Sequence, residues 1–413
     1  MSDISGVTLT AQQHTALDAV TRWWGDEQAR AERPVFRLFG YAGTGKTTIA
    51  RLLPQTLNLP QGDVTYCAFT GKATSVLRSK GCQPAHTIHS LIYQPAEKSR
   101  KELHEARWSL AKSGDPVERM RLETLITQLE DDLAQPSFKI NRFGLDGVAL
   151  LVIDEVSMIG DRIGTDLLSF NVPIIALGDP AQLPPVDGDN SQGYFMRAPA
   201  DVTLTEVRRQ EADSPVLDLA TRIRDGRGAM SGDYLRGTLP LTVAADPAGQ
   251  VLVGRNVTRW DINTRVRHAL GRQAGRPEPG DRVVCLANSS HLGLFNGETF
   301  TVVETAPGPA DATIRLLLDD LADEPSWVTA SLAGFVDFEA EQAARRDCFR
   351  WRDKALMTWA YALTTHKAQG SQWDHVLVID ESHVFRADAA RWLYTGVTRA
   401  AKTVVLGSAD NLQ

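Results

Sequence analysis

The sequence predicts an α/β protein: two doubly wound domains, a helical insert in the first and a small β-barrel insert in the second. Three observations carry that expectation. Gly40-Tyr41-Ala42-Gly43-Thr44-Gly45-Lys46-Thr47-Thr48 satisfies G-x-x-x-x-G-K-[ST], with a short β-prone run (34–39) before it and a helical run (49–53) after it. Continuous apolar runs at 148–153 and 172–177 have helical patterns between them, as parallel strands buried on both faces require. Around 281–286, 297–304 and 313–318 the texture changes to short strands broken by Gly, Pro and Asn turns, which reads as a small barrel.

The glycine-rich stretch is the strongest chemical signal. Its glycines let the backbone curl so that N–H groups point at phosphate oxygens, and the following helix N-terminus adds partial positive charge. Lys46 is placed for the β- and γ-phosphates, and the Thr47 hydroxyl for Mg²⁺. A nucleoside triphosphate is the expected ligand, held by Gly40, Gly43, Thr44, Gly45, Lys46, Thr47 and Thr48. The competing reading, a glycine-rich turn that binds nothing, does not account for the strand and helix on either side.

At 413 residues the chain has room for two to four domains. Its 43% hydrophobic and 23% charged content is ordinary for a globular protein, and no apolar run is long enough to span a membrane. No secretory signal is evident at Met1-Ser2-Asp3-Ile4-Ser5-Gly6, and the four cysteines form no C-x-x-C, so a reducing cytoplasm is the expected location. The net charge of −7 speaks weakly against a surface coated with nucleic acid, but whole-chain charge says little about a cleft.

Along the chain, Thr10 and Gln13 form a capping box for a helix through Ala16, Leu17, Val20 and Trp23. The run 64–70 reads as a second buried strand, leading into a helix at Gly71-Lys72-Ala73-Thr74. His86 and His89 lack further ligands nearby, so a metal site is not expected there. Residues 97–134 are charge-rich with Leu122, Ile126, Leu129 and Leu133 at helical spacing, and Ser113-Gly114-Asp115-Pro116 divides them into two antiparallel helices. The segment 136–143, with Phe138 and Phe143, then returns to the core. A second α/β set is expected from Val202 onward, with strands at 202–207, 251–254, 357–363, 376–379 and 403–406.

Asp154-Glu155 closes the apolar run at 148–153. Beside a phosphate loop, such an aspartate holds Mg²⁺ and the glutamate orients the attacking water; alone, the pair could simply cap a helix. Taken in order, the motifs resemble those of superfamily 1 helicases, specifically the RecD-like and Dda-like branch that moves 5′ to 3′. Gln13 matches the adenine-reading glutamine, Gly40–Thr47 motif I, Phe69-Thr70-Gly71-Lys72-Ala73 motif Ia, and Thr87-Ile88-His89-Ser90-Leu91 motif Ib. Asp154-Glu155-Val156-Ser157-Met158 is similar to motif II, and Gly178-Asp179-Pro180-Ala181-Gln182-Leu183-Pro184 to motif III, with Gln182 as the γ-phosphate sensor. Leu204-Thr205-Glu206-Val207-Arg208-Arg209-Gln210 resembles motif IV and Tyr394-Thr395-Gly396-Val397-Thr398-Arg399-Ala400 motif VI, which supply Arg209 and Arg399 as arginine fingers. Thr365-His366-Lys367-Ala368-Gln369-Gly370-Ser371 resembles motif V, though Gln372 stands where relatives often carry a glutamate.

The resemblance implies two RecA-like domains closing on ATP and Mg²⁺, an SH3-like barrel in the second, and a single DNA strand tracked by Thr70, Lys72, Thr87, His89, Thr365, His366 and Ser371. As lone residues these would each be helix caps or turn residues. Phe138 or Phe143 would form the wedge at a duplex fork. The boundaries expected are 1–93 and 147–200 for the first domain, 94–146 for its insert, 201–271 and 353–413 for the second domain, and 272–352 for the barrel. The implied activity is ATP-dependent 5′-to-3′ translocation on single-stranded DNA with duplex unwinding. Its rivals are an RNA- or RNA–DNA-directed ATPase of the same architecture and a DNA-binding ATP switch or loader that does not unwind. A monomer working with single-strand-binding or replication and recombination proteins is the expected assembly, with no membrane partner.

Overall fold

A computed structural model describes residues 8–95, 106–110, 112, 118–119, 121–127, 138–185, 192–207, 214–235, 240–287, 289, 292, 294, 296–309, 313–319, 325–346 and 354–408. Its largest sheet is built from β1 (Val35–Gly40), β2 (Val64–Ala68), β3 (Ala85–Thr87), β6 (Leu150–Asp154), β7 (Ile174–Gly178) and β8 (Val202–Leu204). These are parallel in the order β3-β2-β6-β7-β1-β8. Every residue of β2 and β7 is buried, which is why these strands read as unbroken apolar runs rather than as alternating ones. The helices Ala11–Gly25 and Lys46–Thr56 pack Ala16, Leu17, Val20, Ile49 and Leu53 against one face.

Two expectations about strands are corrected here. Val202–Leu204 does not begin the second unit; it pairs in parallel with β1 and forms the edge of the first sheet. Strand-like sequence identifies a strand but not its neighbour, and this short edge strand has only three residues with which to declare itself. The expected strand at 357–363 is in fact two: β14 (Met357–Trp359) and β15 (Ala362–Thr364). They belong to different sheets, and the chain turns between them at Ala360 and Tyr361.

The second parallel sheet runs β15-β9-β16-β17, with β9 at Gly249–Val253, β16 at Trp373–Asp380 and β17 at Ala400–Ser408. The insert is an antiparallel sheet in the order β13-β12-β11-β10-β14, with β10 at Arg282–Cys285, β11 at Thr299–Pro307, β12 at Thr313–Asp319 and β13 at Ser326–Ser331. Its far edge bonds back toward its near edge: Ser331 N donates to Ala355 O at 3.0 Å and Ala355 N to Thr329 O at 2.7 Å. Since β14 completes this sheet, the insert extends past the expected boundary at 352. At the base of the first insert, β4 (Tyr93–Pro95) and β5 (Phe138–Ile140) form a two-stranded antiparallel ribbon. Residues 106–110 and 121–127 above it are helical.

A buried ion pair ties the antiparallel insert to the second parallel sheet. Arg259, on the helix Asn256–Ala269, directs Nη2 at both oxygens of Glu341 at 2.6 Å, and Thr358 Oγ1 donates to the same carboxylate at 3.0 Å. Arg259 is 1% exposed and Glu341 fully buried, so neither has water as an alternative partner. Removing one member strands the other in a low-dielectric interior. Glu341→Ala is therefore expected to destabilise the C-terminal unit by about 3–5 kcal/mol, read as a lower urea midpoint for its unfolding.

Candidate functional site

The phosphate loop leaves β1 and enters the helix Lys46–Thr56 through Gly43 (φ +75°) and Gly45 (φ +82°), a left-handed backbone that glycine adopts without strain. Lys46 Nζ donates to Gly40 O at 2.6 Å and Tyr41 O at 3.2 Å, and Thr44 Oγ1 donates to Tyr41 O at 2.8 Å. Gln13 lies against this loop and also serves the capping box: Oε1 accepts from Thr10 N at 3.0 Å, while Nε2 donates to Thr44 O at 2.9 Å. Its local and its long-range role fall on opposite ends of one amide.

Asp154 ends β6, and Glu155 follows in a left-handed conformation (φ +54°) with its N–H on Asp154 Oδ1 at 2.9 Å. Burial, and then the charge of Glu155, push the Asp154 carboxyl up to about 6, with Lys46 pulling in the other direction. Two carboxylates crowded beside one ammonium form a donor set that a divalent cation would complete, and the Thr47 hydroxyl follows Lys46 on the same helix turn. Asp179, at the end of β7, is likewise raised by burial and lies within electrostatic reach of Lys46.

The second unit contributes Arg399, 6% exposed, immediately before β17. Its Nη1 lies 3.7 Å from Glu155 Oε1. With its amide turned to suit both neighbours, Gln182 donates to Glu155 Oε2 at 3.1 Å and accepts from Arg399 Nη2 at 3.1 Å. Glu155, Gln182 and Arg399 thus meet across the boundary between the two parallel sheets. Arg209, the other expected finger, lies outside the described residues.

Sequence reasoning missed a third link across that boundary. The Tyr394 hydroxyl donates to Asp179 Oδ2 at 2.8 Å and accepts from Ala42 N of the phosphate loop at 3.0 Å. Its neighbour Thr395 accepts from Leu183 N at 3.0 Å, and Gln369 Nε2 donates to Leu183 O at 3.1 Å. Tyr394 sits inside the motif carrying Arg399, but no local pattern distinguishes a tyrosine that packs from one that bridges.

Away from the phosphate loop, a cleft of about 990 Å³ opens between the first sheet, the second sheet and the antiparallel insert. Phe69, Thr70, Lys72, His366 and Ser371 line it together with Asn296, Gly297 and Arg345 of the insert. Among the described residues its cationic lining is Lys72, Arg162, Arg197, Arg345 and Lys367, against the single acid Asp161, so the charge these residues carry is the reverse of the chain's net charge. At the junction of the two walls Gly370 (φ +74°) comes so close that a Cβ there would lie 2.7 Å from Thr70 Oγ1. His366 rests on Phe385, ring centroids 5.4 Å apart, and Phe385 stacks on Trp392 at 5.3 Å.

Not every expected strand-contact residue reaches the cleft. Thr365 is a correction: it is fully buried, with its hydroxyl on Val253 O at 3.4 Å, because the chain at that position is still tied to the sheet. Thr87 is 7% exposed and caps the helix Ile88–Ile92 through Ser90 N at 3.2 Å. His89 packs between Phe69 and Tyr93, and burial lowers its pKa. Thr70 caps its own helix through Ala73 N at 3.1 Å while also lining the cleft. Phe143 is 78% exposed, so it is not a core residue; Phe138 lies on β5, and its side chain lies outside the described residues.

Residues 8–238 match the AAA domain family and residues 359–406 the UvrD-like helicase C-terminal domain. The chain is 26% identical over 392 residues to the ATP-dependent RecD2 DNA helicase of Deinococcus radiodurans, covering 88% of this chain and 45% of that protein. It is 25% identical to the RecBCD enzyme subunit RecD of Mycolicibacterium smegmatis, covering 97% and 74%. The chain thus spans less than half the length of the first of these relatives. In fold it is similar to Bacteroides Pif1 bound to single-stranded DNA (TM-score 0.54, 18% identity, covering 97% of this chain and 92% of that one) and to Pif1 of Candida albicans (TM-score 0.51, 18% identity, covering 97% and 94%). With a phosphate loop and an acid pair set between two parallel sheets, the chain belongs to the AAA domain family, and its C-terminal part carries a UvrD-like helicase C-terminal domain.

Proposed function

We propose that this protein is an ATP-dependent DNA helicase that translocates 5′ to 3′ on a single strand and unwinds duplex ahead of it. The observation that carries this reading is the Gln182 bridge between Glu155 and Arg399. Hydrolysis can drive motion only where the reacting groups are divided between bodies that move relative to one another, and Glu155 and Gln182 come from the first unit while Arg399 comes from the second. Thr47 and Asp154 would hold Mg²⁺, which would neutralise charge on the phosphates. Glu155 orients and deprotonates the attacking water, Gln182 holds that carboxylate in register with the finger, and Arg399 stabilises charge on the transferring phosphoryl. The cationic cleft would carry the single strand, and an insert of SH3-like type would flank it. The two parallel sheets are then RecA-like motor domains, and the β4–β5 ribbon with exposed Phe143 presents the wedge.

A strand-displacement assay comparing duplexes with 5′ and 3′ tails tests the whole reading: unwinding is expected with the 5′ tail alone. Preference for the 3′ tail would remove the branch assignment, and DNA-stimulated hydrolysis without displacement would point to a switch or loader.

Lys46→Ala is expected to abolish ATP hydrolysis while leaving single-strand binding largely intact, since the loop and the cleft are separate. Arg399→Ala should cut turnover on the order of 10³–10⁵-fold with a much smaller change in nucleotide affinity; matched modest losses in both would mark a structural arginine. Replacing Phe138 and Phe143 together by Ala should depress unwinding well below DNA-stimulated ATPase, because base–aromatic stacking contributes about 1–3 kcal/mol per base.

A further inference from the structure

Among the described residues, the insert side of the cleft holds more cations than carboxylates to neutralise them. Lys367, from the turn after β15, and Arg345, from the helix Phe338–Arg346, both line the cleft there, with Asn296 between β10 and β11. Behind them stands Arg259, 1% exposed. The carboxylate serving this group is Glu341, already held by Arg259 at 2.6 Å, Arg345 at 2.8 Å and Thr358 at 3.0 Å. Among the described residues, Lys367 Nζ donates to the neutral Asn296 Oδ1 at 2.6 Å and has no carboxylate within salt-bridge distance. Arg345 Nε and Arg259 Nη1 are buried without a hydrogen-bond partner among the described residues. Buried donors in that condition are costly unless an acceptor arrives.

We propose that Lys367, Arg345 and Asn296 form a subsite for one backbone phosphate of the strand in the cleft, making the antiparallel insert part of the track rather than an appendage to it. The proposal rests on the reading of the cleft as a single-strand path. A phosphate supplies the missing negative charge, and its several acceptor oxygens suit a guanidinium and an ammonium converging from different elements. The electrostatics agree: burial, with Arg345 and Arg259 close by, pushes the Lys367 ammonium down to about 7. On the opposite wall Thr70 and Lys72 face the same space, so the strand would be held from two sides that belong to different bodies.

The test is the affinity of the full chain for a labelled oligo(dT), measured by anisotropy across a salt series. For single strands each phosphate contact adds about 0.7 to the slope of log affinity against log salt. Arg345→Ala should lower the slope by about that amount, so that the affinity lost between about 50 and about 200 mM salt shrinks by about 2.6-fold. Arg345→Lys, which keeps the charge, should retain the wild-type slope. Lys402→Ala removes an exposed lysine paired with Asp374 outside the cleft, and should leave the slope unchanged. If Arg345→Ala does not fold, Lys367→Gln is read the same way. An unchanged slope in a folded Arg345→Ala protein that still shows DNA-stimulated ATPase overturns the subsite and leaves the motor reading standing. An equal drop in Lys402→Ala overturns it too, as a general charge effect. Failure of the wild type to bind oligo(dT) overturns both.

Discussion

The arrangement depends on a buried guanidinium with no water to turn to. Arg399 is 6% exposed, and its donors are met by Thr395 O, Ser371 O, Gln182 and, at longer range, Glu155. Two of those acceptors are in the second unit and two in the first. Each guanidinium nitrogen also has an acceptor within the second unit, Nη2 donating to Thr398 Oγ1 at 3.3 Å, so a relative movement of the units would cost the guanidinium its Glu155 charge and leave the Gln182 amide short of a partner. A site built this way senses domain geometry through ordinary hydrogen-bond economics, with no dedicated signalling element.

The same logic extends outward from Arg399. Leu183 is 1% exposed and packs with Trp392, Leu393 and Val397 of the second unit, while its backbone N–H and C=O are taken by Thr395 and Gln369. Tyr394 adds a hydrogen bond to the phosphate loop itself through Ala42 N. The end of β7 is thus gripped by apolar and polar contacts from the opposite unit, and the nucleotide loop is held from outside as well as by its own helix. In the second unit, Glu381 is fully buried and accepts from Gly254 N, Arg255 N and Thr258 Oγ1, placing a carboxylate at the N-terminus of the helix Asn256–Ala269. That carboxylate fixes the strand-end turn next to the cleft wall formed by Gly254 and Asn256.

The chain's net charge of −7 and its cationic cleft are compatible because a field is set by what lies nearby. Many of the acids are spread over the outer surface, whereas five cations converge on one cleft wall or the other. Residues from the first sheet, the second sheet and the insert all contribute, so no single stretch of sequence is basic enough to reveal it.

The sequence by itself determined the local chemistry. The phosphate loop and the acid pair could be named because each sits at the end of a strand whose apolar run is fixed by burial on two faces, whereas Gln182 and Arg399 were named from the motifs they resemble. The Thr10–Gln13 capping box was legible for the same reason: its partners are three residues apart. Pairing, in contrast, was decided only by tertiary structure. Val202–Leu204 joins β1, and Met357–Trp359 joins β10, through contacts with strands remote in the chain, and nothing in three residues encodes such a neighbour. Thr365 lies buried beside Val253 although its motif sits at the cleft, since which way a side chain faces depends on the register of the strand before it. Tyr394 gains its significance from Ala42 and Asp179, hundreds of residues away; Arg345 pairs with Glu341 on its own helix, but meets Asn296 and Lys367 in the cleft only through the tertiary fold. Spacing in a sequence reports what one helix turn or one strand can bring together; the closure of two sheets on one another is a long-range packing event, and it leaves no periodic trace.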